Sequence, residues 1–150
     1  YGGMYVGNMD YYDERDRVHT YSHNGEYSHN KFYLSGSWLN GEESLIWKTS
    51  QPSDKDYLSF KFRSKSVNGV FSSDDGAKVF IKIDGKHLDK NQAGIDIQFD
   101  SKGRSYLFIK EPKMYSVLIL DKYNEHIVSM HPQNEFASFA FTFGSYSEGF

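Results

Sequence analysis

From residue 31 onward, apolar and polar residues alternate in short runs divided by turn dipeptides, and no window keeps its apolar positions on one helical face for two turns. The stretch 111–120 carries the longest nearly unbroken apolar run. It is rich in β-branched residues and too short for an ordinary helix, which predicts a central strand covered on both faces. Pro112 fits only at the entrance of such a strand, since a proline inside it would remove a ladder hydrogen bond. Upstream, 32–39 and 43–48 flank Asn40-Gly41 as a hairpin. In 57–65, Leu58, Phe60 and Phe62 share one face, while Ser59, Lys61 and Arg63 share the other, as in a strand with one wet side. A short strand is predicted at 67–71. Another at 78–84 ends in the Asp84-Gly85 turn, after which His87 and Leu88 return as a partner. Strands at 95–99 and 104–109 surround the turn Asp100-Ser101-Lys102-Gly103. Beyond the central strand, 126–130 and 136–143 complete the set, the last with Ala137, Phe139, Phe141 and Phe143 on one face. Nine or ten such strands predict an all-β, antiparallel β-sandwich of jelly-roll type.

Residues 1–30 break this texture. They are polar, crowded with Tyr, Asp, His and Asn, and read as a loop segment with a short strand, packing on a sandwich formed by 31–150. Within them Tyr21-Ser22-His23-Asn24 repeats as Tyr27-Ser28-His29-Asn30, and Asn24-Gly25 supplies a turn between the copies.

A chain of 150 residues suits one domain with a core of its own. Seventeen basic against 20 acidic residues give a net charge of −3 with no basic stripe, which argues against a nucleic-acid partner. Cysteine is absent, so thiol catalysis, disulfides and Cys-based metal sites are excluded from these residues. No apolar run approaches the roughly 20 residues of a membrane helix, so direct membrane insertion is not expected. The opening Tyr1-Gly2-Gly3 has no signal-peptide pattern and reads as the start of an excised domain.

One ordered set of motifs is specific: Tyr5-Val6-Gly7, Leu34-Ser35-Gly36-Ser37-Trp38, Asp84-Gly85, Gly94-Ile95-Asp96, Asp100 with Gly103, Glu111-Pro112 with Tyr115, and Phe139-Ala140-Phe141-Thr142-Phe143-Gly144. Together these resemble the C-terminal domain of DipZ-like thioredoxin family proteins over about residues 5–144. The resemblance implies a carbohydrate-binding-module-like, galactose-binding-type sandwich. It implies a non-catalytic accessory domain beside a catalytic thioredoxin-like domain of the parent chain, working extracytoplasmically, in the periplasm or at the cell surface, on thiols and disulfides. It implies no cofactor for this piece. A glycan or a protein is the expected partner; the alternative is a structural module that docks on the catalytic domain or pairs with a second copy.

Stacking of a pyranose on an aromatic face makes Trp38, Trp47, Tyr21 and Tyr27 the candidate ligand-binding residues, with Tyr11 and Tyr12 beside them in the polar segment. The twelve phenylalanines, many at alternate positions, read as core. His19, His23 and His29, near Asp13, Glu14, Asp16 and Glu26, form a weak candidate metal set, with spacing that matches no standard site. The acidic turn 73–76 and Asp84-Gly85 read as turn chemistry rather than calcium loops. No Gly-x-Ser-x-Gly, His-Glu-x-x-His or phosphate-loop pattern is present. Glu111, Pro112 and Tyr115 read as structural, with Glu111 accepting backbone hydrogen bonds, which places the expected binding surface in the Tyr- and His-rich loops.

Overall fold

The structure, a computed structural model, describes residues 2–5, 18–28, 31–41, 43–48, 51–53 and 55–144. Among these, every regular element is a strand: β1 (Gly2–Tyr5), β2 (Val18–Tyr21), β3 (Tyr33–Asn40), β4 (Leu45–Trp47), β5 (Tyr57–Ser72), β6 (Ala77–Ile83), β7 (Lys86–His87), β8 (Gln98–Phe99), β9 (Ser105–Ile109), β10 (Lys113–Pro132) and β11 (Ala137–Gly144). All pairings are antiparallel, and together they form a β-sandwich, as the alternating runs predict.

The central pair is β5 with β10. Two strands predicted on either side of residue 66 are one continuous β5, and the apolar run at 115–120 continues through 126–130 as one β10. The polar residues 121–125 hide this continuity: the pairing passes from Ile119↔Ser66 to Asn124↔Ser64, so β10 takes five steps where β5 takes two, and 121–125 are exposed to solvent while Leu120 stays buried. Around this spine, the first half of β5 pairs with β3 and its second half with β11. The second half of β10 pairs with β6, which carries β9 and then β8. β3 continues into β4, β4 pairs with β11, and β11 returns to β5, so these four strands close a ring.

The core is aromatic, as the phenylalanine pattern predicts. Phe71 meets Phe136, Phe141 and Tyr115 at ring-centroid distances of 6.1, 5.4 and 5.9 Å, and Phe60 lies 4.6 Å from Phe141. Leu58, Phe60 and Phe62 point inward as expected. Ser59, expected in water, is buried. On β11 the single-face expectation fails at Phe139: the register slips between Ser138 and Ala140, so Phe139 is half-buried while Phe141 enters the core.

The polar N-terminal segment carries two short strands among its described residues. β1 pairs with β11 and β2 with β3, because partner strands supply the ladder that the segment's own composition does not advertise. The far edge of β10 near residues 116–119 is covered by a loop instead of a strand. Gly94 N–H donates to Val117 C=O at 2.9 Å, Asp96 N–H to Ser116 C=O at 3.2 Å, and Ile119 N–H to Gln92 C=O at 3.0 Å. The approach is so close that a Cβ on Gly94 would stand 2.4 Å from the Ser116 carbonyl oxygen.

Phe71→Ala should cost about 3–5 kcal/mol through lost burial and the cavity left behind, read as a lower urea midpoint at unchanged slope. Gly94→Ala should also lower that midpoint, because the 92–97 loop must lift off β10. An unchanged midpoint for either variant would contradict the packing described.

Candidate functional site

The aromatic residues named from sequence are mostly enclosed. Trp38 and Trp47 are 0% exposed, and Tyr21 is 5% exposed. The Trp38 indole N–H donates to Ser35 C=O at 2.9 Å and that of Trp47 to the Asp56 carboxylate at 3.1 Å. The two strands place both indoles across from one another in register, inside the ring of four strands, where neither presents a face to a sugar. They are core residues, which corrects the expectation of a Trp platform. Tyr11, Tyr12 and His29 lie outside the described residues.

Tyr27 is half-buried and belongs to a latch that fastens the 22–28 loop onto the start of β5. His23 is its hub. Its Nε2–H donates to Glu26 C=O at 2.8 Å, and in that tautomer Nδ1 accepts from the Tyr57 hydroxyl at 2.8 Å. Tyr27 Oη and Ser59 Oγ share a hydrogen bond of 2.8 Å, which explains the buried Ser59. Tyr33 stacks on the His23 ring at 4.5 Å and accepts from Ser28 N–H at 2.8 Å. Burial pushes the Tyr27 and Tyr57 phenols above their ordinary value of 10; for Tyr27 the Ser59 bond partly opposes this, and the Tyr33 phenol adds to it. His23 is thus committed to a structural network, and His19 sits exposed on β2. Among the described residues no group of three or more His, Cys, Asp or Glu could hold a metal ion; of the candidate set, His29, Asp13, Glu14 and Asp16 lie outside those residues.

A different place is open. A cleft of about 700 Å³ lies where β9, the 73–76 turn and the entrance of β10 meet, lined by Phe108, Asp74, Asp96, Gln98, Lys110, Glu111 and Tyr115 among others. Phe108 is 50% exposed and is the only exposed phenylalanine among the described residues. Its wall is built locally. Tyr115 donates its hydroxyl hydrogen to Glu111 C=O at 2.9 Å and accepts from Lys110 N–H at 3.1 Å, clamping the turn before Pro112. Glu111 therefore contributes its backbone carbonyl to the turn, and its side chain is free to line the cleft, where sequence reasoning had given the carboxylate a structural bond. Asp96 Oδ2 accepts from Ser116 N–H at 2.7 Å and Oδ1 from Lys113 Nζ at 3.3 Å, which fixes that carboxylate. The β8–β9 turn beneath Gln98 is held by Asp100. Its carboxyl is lowered to about 2, chiefly by the Arg104 N–H, then by the Arg104 guanidinium and the Lys102 N–H, against an opposing desolvation. Sequence reasoning missed the cleft although a signal was present: with Ser105, Leu107 and Ile109 inward, alternation leaves Tyr106 and Phe108 facing out.

The sequence matches the family model described as thioredoxin like C-terminal domain over residues 5–144. Among curated proteins no sequence matches this chain. Among solved structures, the fold is similar to part of a family two carbohydrate esterase from Cellvibrio japonicus, with a TM-score of 0.51 and 10% identity, covering 93% of this chain. The chain spans 32% of the length of that esterase.

Two outcomes check the latch and the turn. Tyr27→Phe should cost about 1 kcal/mol by leaving buried Ser59 without its hydroxyl partner, and it should remove one late-titrating phenol from a tyrosinate absorbance titration. Because those phenols are raised, the latch's contribution is complete below pH 10 and is lost as pH rises above it. Asp100→Asn should lower the urea midpoint at pH 7. The carboxyl is depressed, so its contribution is present above pH 3.8 and lost as pH falls through about 2, and the wild-type advantage should shrink across that interval.

Proposed function

The chain belongs to the thioredoxin-like C-terminal domain family, and on that premise we propose that it is the non-catalytic accessory domain of a DipZ-like, extracytoplasmic thiol–disulfide oxidoreductase, serving as its carbohydrate-binding-module-like unit. The observation that carries this reading is the open cleft, whose wall is tied by hydrogen bonds while several of its polar groups are uncommitted. Electron transfer to disulfides needs a thiolate, and these residues hold no cysteine. In this reading the redox step therefore belongs to the catalytic thioredoxin-like domain of the parent, and this sandwich brings that domain to its place of work by holding an envelope glycan. A partner protein, including that catalytic domain, is the competing occupant; Ile95, 81% exposed beside Asp96 of the cleft, is the feature that favours it.

Calorimetry of the chain against several classes of envelope polysaccharide should give saturable binding to at least one. A flat response to all of them, together with co-purification of the separately expressed thioredoxin-like domain, would replace the glycan reading with the docking one.

A further inference from the structure

We infer that the cleft is a subsite for a neutral pyranose, with the Phe108 ring as its stacking floor and Gln98, Asp74 and Glu111 as hydroxyl partners. This rests on the binding-unit reading and gives it a location and a ligand class. The sequence had pointed instead to Trp38, Trp47, Tyr21 and Tyr27, which the fold encloses or latches.

The floor is positioned by its surroundings. Phe108 stands on the outer side of β9, and its ring tip points at Gly76, where φ is +88° and a Cβ would come within 2.7 Å of Cζ. A glycine meets both demands, the left-handed backbone and the empty space. The cross-strand neighbour of Phe108 is Lys78, but its ammonium does not cap the ring. It lies instead over Tyr106 at 4.5 Å and Phe80 at 5.0 Å, and among the described residues no cation covers Phe108. The exposed ring is therefore held in place without being used by the fold.

The polar groups around it are oriented from behind. Tyr106 O–H donates to Gln98 Oε1 at 3.1 Å, so the acceptor end of the amide is occupied and its two N–H donors have no protein partner among the described residues. The side chains of Asp74, Lys110 and Glu111 likewise have none. Asp96, tied by Ser116 and Lys113, closes the wall as a fixed acceptor.

Charge then narrows the class. Asp74, Asp96 and Glu111 face Lys110 and Lys113, an almost balanced set that attracts neither a polyanion nor a polycation. Hydroxyl groups, which donate and accept, match a mixed set of donors and acceptors, and the C–H face of a pyranose matches an aromatic ring. A concave volume of about 700 Å³ suits a ligand of one to a few rings.

The test uses the whole chain, isotope-labelled, titrated with cellobiose, mannobiose and chitobiose as neutral probes and digalacturonate as the anionic one. Saturable shifts at the amides of Gln98, Phe108 and Glu111 with a neutral probe are expected. Phe108→Ala should weaken that binding at least tenfold and Gln98→Ala several-fold, while Phe108→Trp retains it. Amide mapping needs no variant, so a poorly folded Phe108→Ala leaves the test intact. Neutral-sugar binding that shifts other amides and ignores Phe108→Ala overturns the cleft assignment while leaving the glycan-binding reading in place. Preference for digalacturonate overturns the ligand class. No shift in the cleft with any probe, with the thioredoxin-like domain shifting it instead, overturns both.

Discussion

The architecture depends on the pairing of β5 with β10. Two strands of 16 and 20 residues cannot share one flat ladder and still bury both halves of an aromatic core. The twist of a long antiparallel pair carries its ends apart, and a register break lets it bend. That break is at Ile119 to Asn124, where β10 runs out into solvent and re-enters. On one side of it the pair recruits β11; on the other it recruits β3 and β6. Phe60 and Phe71, on opposite sides of the bend in a single strand, both pack on Phe141, so the same strand supplies both ends of the core.

The bend also explains why a cleft exists. Where β10 begins, it has β5 on one edge, while the other edge is satisfied by the 92–97 loop and not by a full strand. A loop can fulfil the backbone hydrogen bonds with few residues, leaving space between itself, β9 and the 73–76 turn. Gly94, Asp96, Glu111 and Tyr115, all within the motifs that carried the resemblance, stand at this edge. Gly94 permits the close approach, Asp96 caps Ser116, and Tyr115 fixes the turn through the Glu111 carbonyl. The motifs thus mark the construction of the cleft's wall.

Much of this was legible from alternation. The hairpin of β3 and β4, the inward face of β5, strand β6 and the β8–β9 turn follow from period-two patterning and from Asn-Gly or Asp-x-x-Gly punctuation. What alternation could not show was continuity and partnership. Polar residues 121–125 look like a loop and are a bulge; Val18 to Tyr21 look like a loop and are a strand because Gly36 to Leu39 lie beside them. Phe139 lost its expected face to a one-residue slip that no sequence pattern marks. Trp38 and Trp47 illustrate a further limit: sequence identifies a residue able to stack on a sugar, but only the closure of β3, β4, β11 and β5 decides that these two stack on nothing outside.

The two polar clusters differ in a way that separates structure from recognition. In the latch every named group answers another: the His23 nitrogens are matched by Tyr57 and Glu26, and Tyr27 by Ser59. Such a network has spent its hydrogen-bonding capacity on holding a loop, and an added ligand would have to break it. In the cleft the groups are anchored on one side only. Gln98 is held by its carbonyl and Asp96 by its two neighbours, while Phe108 is braced at its tip. A folded chain gains nothing by leaving a phenylalanine half in water. Anchoring from behind with an unmatched front is the arrangement a ligand can complete with little ordering cost, and it stands at the opposite end of β5 from the Tyr- and His-rich loop.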